Sequence, residues 1–140
     1  MADILLEEAK EAVDLALNMH ANEPVHIEVT ATDKCNCACE YCFEQDHCTD
    51  NMSEDKQNKI ISLLQEYCEH FSIDKHPGLY LSFWGGEPFL NFDFIDRVLN
   101  TTAKYKFVNW HIYTNGLVTS AIDKLVSAPY FEEVKNRLDV

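Results

Sequence analysis

Residues 25–42 read "VHIEVTATDKCNCACEYC", and the fold is decided there. The first eight residues alternate apolar and polar and are rich in β-branched side chains, the pattern of a strand over 25–32. Directly after its end, four of the chain's six cysteines fall within residues 35–42. The N-terminus, "MADILLEEAK", carries acids where a secretory leader would carry a basic region. A reducing, cytoplasmic location is therefore expected, and clustered cysteines there are metal-binding or catalytic more often than disulfide-bonded. Cys68, far from the cluster and on a helical apolar face, reads as a small buried hydrophobe.

Working outward, residues 4–19 repeat Ile4, Leu5, Ala9, Ala12, Val13, Ala16 and Leu17 near helical spacing. They make residues 1–23 an N-terminal helix ahead of a core over 24–140. Ser53 reads as an N-cap with Glu54 and Asp55 in the first turn. The helix it opens buries Ile60, Ile61, Leu63, Leu64, Tyr67, Cys68 and Phe71. A turn at 76–78 leads to a second strand at 79–84, which stops at Gly85-Gly86. A helix over 92–105 with Asn91 as its cap, a third strand over 108–114 and a helix over 119–127 follow. Pro129 starts a further helical piece, and "RLDV" (137–140) opens a fourth strand. Strands alternating with helices imply a parallel sheet covered by helices.

Three unusual segments, the cysteines, "GGEP" (85–88) and "TNG" (114–116), each follow a strand. Parallel α/β folds bind ligands outside the carboxyl ends of their strands. The three segments are therefore expected to meet at one edge.

Composition narrows the partners. The chain has 140 residues, 46% of them hydrophobic, enough for one domain with a real core. A net charge of −13 opposes nucleic-acid binding and an anionic membrane surface. No apolar run approaches the roughly 18 residues of a membrane span.

Cys35, Cys39 and Cys42 form C-x3-C-x2-C, leaving Cys37 as the odd thiol. Short spacings wrap three thiolates around one inorganic core at low loop-closure cost. Three protein ligands leave a coordination position open, as catalytic metal sites do. A structural zinc site is the other reading, with Cys39 and Cys42 as one knuckle completed by Cys35, Cys37, His47 or Cys48.

"KCNCACEYCF", "FWGGEPFLN" and "IYTNG", in that order at three strand ends, resemble the radical S-adenosylmethionine superfamily over residues 24–127. The resemblance implies a parallel-sheet partial TIM-like barrel whose first three β/α units are present here. It implies a 4Fe-4S cluster on Cys35, Cys39 and Cys42 whose fourth iron is chelated by S-adenosylmethionine. It further implies that Gly85, Gly86 and Glu87 hold the methionine amine, that Tyr41 and Phe43 flank the adenine, and that Asn115 belongs to the cofactor site. No catalytic residue beyond these cofactor ligands is implied. The activity implied is reductive cleavage to a 5′-deoxyadenosyl radical. "GGEPFLN" is similar to the peptide- and protein-modifying (SPASM-type maturase) subgroup, which implies a peptide or protein substrate. A non-catalytic metal-binding or interaction domain is the alternative.

Singly, most of these residues have plainer readings. His26 and His111 are packed or solvated strand residues, Trp84 and Trp110 core or layer residues, and His47 and Cys48 bystanders in a polar loop. A core of about six units needs about 190 residues by scaling from a full barrel of ~250. The sequence therefore reads as a truncated core, expected to self-associate or to meet a completing partner through an exposed sheet edge, and to turn over poorly alone.

Overall fold

A computed structural model describes residues 23–42, 51–70 and 77–140. The helix expected over 4–19, Phe43, His47, Cys48 and Phe71 lie outside the described residues. The elements are β1 (Val25–Thr32), α1 (Glu54–His70), β2 (Leu79–Gly85), a 3-10 turn (Pro88–Asn91), α2 (Phe92–Thr102), β3 (Val108–Ile112), α3 (Thr119–Ser127), α4 (Phe131–Val134) and β4 (Leu138–Asp139). The four strands form one parallel sheet in the order β1-β2-β3-β4. Among the described residues no helix is long and apolar enough to cross a membrane.

Register separates the two faces of the sheet. Val25 pairs with Leu79 and Leu79 with Val108; Val29 pairs with Phe83 and Phe83 with Ile112. Side chains of one parity thus point one way on all three strands. That face is apolar, and it is buried with Leu64, Tyr67 and Cys68 of α1 and Phe94, Ile95, Val98 and Leu99 of α2. Each such side chain, fully buried, contributes roughly 1.5–3 kcal/mol. The other parity (His26, Glu28, Thr30; Tyr80, Ser82, Trp84; Asn109, His111) is exposed or half-buried.

Local chemistry sets the ends of the elements. The Ser53 hydroxyl accepts from the Lys56 amide at 3.4 Å, and its carbonyl from the Gln57 amide at 3.0 Å, so Ser53 opens α1 as expected. Asn91 makes no side-chain cap for α2. Its amide instead donates to the Ala31 carbonyl at 2.7 Å, tying the 3-10 turn to β1. α2 ends at Thr102 rather than Tyr105. The Thr102 hydroxyl donates to the Val98 carbonyl (2.7 Å) and accepts the Trp110 indole N–H (3.0 Å), which lets Trp110 sit in the core with its one donor satisfied. Trp84 faces the opposite way and is half-buried, stacked on Tyr113.

β4 is held by Arg137. One guanidinium nitrogen donates to the Tyr105 and Val108 carbonyls at 2.7 Å each, and the other to Ala103 at 2.8 Å. The group also lies 4.8 Å from the Trp110 ring centre. Only a planar, multi-donor group meets three carbonyls and a ring together. Arg137→Ala is expected to destabilise the fold by about 2 kcal/mol, with Arg137→Lys recovering less than half, by urea unfolding. A lysine variant of wild-type stability would show that the fork geometry is dispensable.

Cys68 is fully buried, and burial pushes its thiol from 9.0 up to about 12, with the Glu69 charge adding to the shift. The folded chain keeps a proton that the unfolded chain sheds. This contribution to stability is therefore intact below about pH 9 and lost as pH rises toward 12. Iodoacetamide at pH 8 is expected to leave Cys68 unmodified in the native protein and to label it in urea, read by peptide mass mapping; native labelling would contradict the burial.

Candidate cofactor site at the carboxyl edge of the sheet

Two glycines make the edge. Gly85 has φ of +126°, and a Cβ there would lie 1.9 Å from the Thr32 carbonyl oxygen. A Cβ on Gly86 would lie 2.3 Å from the Lys34 carbonyl oxygen. The contact needs hydrogen atoms at both positions, because the Gly86 amide donates to Thr32 (2.9 Å) and the Glu87 amide to Lys34 (2.7 Å). The glycines thus seat the end of β2 on the backbone that leads into the cysteine loop.

Glu87 is 1% exposed. Its Oε1 accepts from the Phe89 amide at 3.0 Å and from the Thr114 hydroxyl at 2.6 Å. Its Oε2 accepts from the Asn115 amide at 2.8 Å. A carboxylate has about four acceptor positions, and donors among the described residues fill three of them, two on Oε1 and one on Oε2. These donors compensate the desolvation that would otherwise forbid burying the group.

Asn115 carries the connection onward. Its side-chain nitrogen donates to the Asn36 side-chain oxygen at 2.8 Å and to the Cys37 sulfur at 3.3 Å. Its oxygen accepts the Leu117 amide at 3.0 Å, which fixes the rotamer. The three unusual segments therefore meet at one edge, as their positions in the sequence imply.

Within the cysteine loop, Cys35, Cys37 and Cys42 are half-buried and Cys39 is exposed. The Cys37 amide donates to the Cys35 sulfur at 3.4 Å, and the Cys42 amide to the Cys39 carbonyl at 3.1 Å. Among the described residues no three Cys, His, Asp or Glu side chains are gathered closely enough to hold a metal. Desolvation, then the nearby Cys39 and Cys35, push the Cys37 thiol up. Tyr41 is 90% exposed. The loop offers only thiols as soft ligands, with N–H groups already directed at two of the sulfurs. That donor set suits an iron–sulfur cluster.

Sequence reasoning gave no role to Thr114 or to the Asn36 side chain. Their partners lie 27 and 79 residues away in the chain, so no local spacing marks them.

The class this edge defines is that of cluster-binding parallel α/β domains. The 4Fe-4S single cluster domain family matches residues 27–140, and the chain belongs to that family and to the radical S-adenosylmethionine superfamily. The family's description names a 4Fe-4S cluster. The chain is 28% identical to a GTP 3',8-cyclase of Clostridium perfringens over 86% of its own length and 36% of the relative's. It is 30% identical to an S-adenosylmethionine-dependent nucleotide dehydratase of Pseudoalteromonas ulvae over 77% of its length and 38% of the relative's. It thus spans little more than a third of the curated relatives it matches. The structure of native anSMEcpe with bound AdoMet and Cp18Cys peptide shares the fold at a TM-score of 0.56 and 19% identity, over 83% of this chain and 30% of that one.

The two kinds of glycine at the edge should separate on mutation. Gly85→Ala drives a methyl into backbone and is expected to cost about 3 kcal/mol or more. Gly116→Ala meets only the strain of its φ of +76°, with open space around it, and should cost about 1 kcal/mol. Equal losses in urea titrations would mean that the close approach at Thr32 does not constrain the fold.

Proposed function

We propose that this chain carries the cofactor-binding site of a radical S-adenosylmethionine enzyme whose reaction modifies a peptide or protein. In this reading Cys35, Cys39 and Cys42 hold the cluster and leave one iron free of protein thiolate. Gly85, Gly86 and Glu87 receive the methionine amine, Tyr41 and Phe43 flank the adenine, and Asn115 joins the cofactor site to the cysteine loop. When bound, the two cofactors supply one-electron cleavage of the sulfonium and hydrogen abstraction from a substrate.

The observation that carries the reading is the buried Glu87 carboxylate, bonded to the loop after β3 and beside the backbone of the cysteine loop. The acceptor position on Oε2 that no donor among the described residues fills suits an ammonium-like amine, which needs acceptors. Asn115 keeps the cysteine loop against that carboxylate through Asn36 and Cys37. Cys37, half-buried and bonded by Asn115, serves as a packing thiol within the loop.

The peptide or protein substrate is supported by the "GGEPFLN" segment and by the peptide-bearing structural neighbour. A nucleotide substrate is the second reading, favoured by the activities named for the Clostridium and Pseudoalteromonas relatives.

Anaerobic reconstitution tests the site. Brown protein with bound iron and sulfide is expected, and colourless protein holding zinc would refute the cluster. Cys35→Ala, Cys39→Ala and Cys42→Ala should each abolish iron and sulfide binding, while Cys37→Ala retains both; equal loss in all four would overturn the ligand assignment. With reductant and S-adenosylmethionine, the loaded protein should release 5′-deoxyadenosine, and Glu87→Ala should lower that yield at least tenfold. A loaded protein that forms none supports the non-catalytic alternative.

A further inference from the structure

The face of the sheet that no described helix covers has an order of its own. Register aligns Glu28 with Ser82, Ser82 with His111, and His111 with Asp139, one residue from each strand. On the carboxyl side of this row Trp84 stacks on Tyr113 at 4.0 Å, and Tyr113 on His111 at 3.9 Å. On the amino side His26 stacks on Tyr80 at 4.8 Å. Tyr80 and Tyr113 are 40% and 43% exposed. With strands about 4.8 Å apart, the backbones bearing Glu28 and Asp139 stand about 14 Å from one another.

The charges that the strands carry on this face have one sign. No Lys or Arg stands on any of the four strands. Arg137, just before β4, is turned to the covered face against Trp110. Asp139 reaches His111 Nδ1 at 3.4 Å. Glu28 is exposed and has no ion-pair partner among the described residues.

We propose that the Glu28–Ser82–His111–Asp139 row, walled by Tyr80 on one side and by Trp84 and Tyr113 on the other, recognises a basic side chain of the peptide substrate. The proposal rests on the reading of the carboxyl edge as the reacting centre and adds a substrate class to it. Carboxylates attract a cation over several ångströms, and the outer faces of Tyr80 and Trp84, each stacked on one ring only among the described residues, add a cation–π term that favours a guanidinium over an ammonium. Ser82 and His111 offer hydrogen bonds between the two acids. The phosphates of a nucleotide would meet two carboxylates and no Lys or Arg on the strands, an arrangement that repels them.

The test uses the cluster-loaded chain and three probes: a hexapeptide Gly-Ser-Gly-Arg-Gly-Ser, the same peptide with neutral citrulline for arginine, and GTP. Binding is read from backbone and indole NMR shifts without S-adenosylmethionine. The arginine peptide should shift the signals of Tyr80, Trp84 and Tyr113, and the citrulline peptide should bind about fivefold more weakly. Glu28→Gln should weaken the arginine peptide to the same extent and leave peptide-free formation of 5′-deoxyadenosine unchanged. Equal binding of the two peptides, unchanged affinity in Glu28→Gln, or GTP displacing the peptide from these residues would each overturn the proposal, the last by giving the face to a nucleotide. Peptide binding as expected with no 5′-deoxyadenosine formed would uphold this surface and sink the cofactor reading instead.

Discussion

The Glu87 carboxylate is almost fully buried and pairs with no cation among the described residues; amide and hydroxyl donors from two segments compensate its desolvation. Taking a carboxylate out of water costs several kcal/mol unless its lone pairs are met. The loop after β3 must therefore come to Glu87, bringing the Thr114 hydroxyl and the Asn115 amide with it. Once the Asn115 backbone is fixed, its side chain can reach only a short arc, and Asn36 and Cys37 lie within it. The cysteine loop is thus positioned from the third strand, through the second. It is also positioned directly from the second, through the glycine contacts at Thr32 and Lys34.

The sheet divides its labour by parity. Residues facing the helices are apolar and supply the burial that holds the domain together. Residues of the other parity are aromatic, polar or acidic, and their rings stack with one another. A shift of one residue between two strands would exchange the faces, burying Glu28 or Ser82 in the core. The burial that stabilises the fold thereby fixes which side chains run toward the carboxyl edge.

Much of the architecture was legible because it is written locally. β-branched alternation marks β1, the apolar face from Ile60 to Cys68 marks α1, and Gly85-Gly86 and Asn115-Gly116 mark strand ends. The sequence pattern predicts α3 over 119–127, where it is found. The misses have a common cause. The end of α2 at Thr102 and the use of Asn91 as a link to Ala31 depend on partners in other elements. The side on which Trp84 would lie follows from alternation along β2, but its stacking on Tyr113 depends on the register with β3. At the site, the convergence of three loops followed from strand order alone. The clamp that enforces it did not, because a Glu–Thr or Asn–Asn contact has no fixed spacing.

The clamp also bears on what the acid at position 87 signifies. A glutamine there would present one acceptor and one donor, and its N–H group would oppose either the Asn115 amide or the Phe89 amide and Thr114 hydroxyl. An aspartate is one methylene shorter and could not keep all three donors without moving the backbone. The architecture therefore demands a glutamate at this point even with no amine to receive. Its presence in a Gly-Gly-Glu segment is weaker evidence for cofactor binding than the motif alone suggests. The stronger evidence is what the clamp leaves over among the described residues: one acceptor position on Oε2, at the edge where the thiols lie. In the proposed reading that position receives the methionine amine.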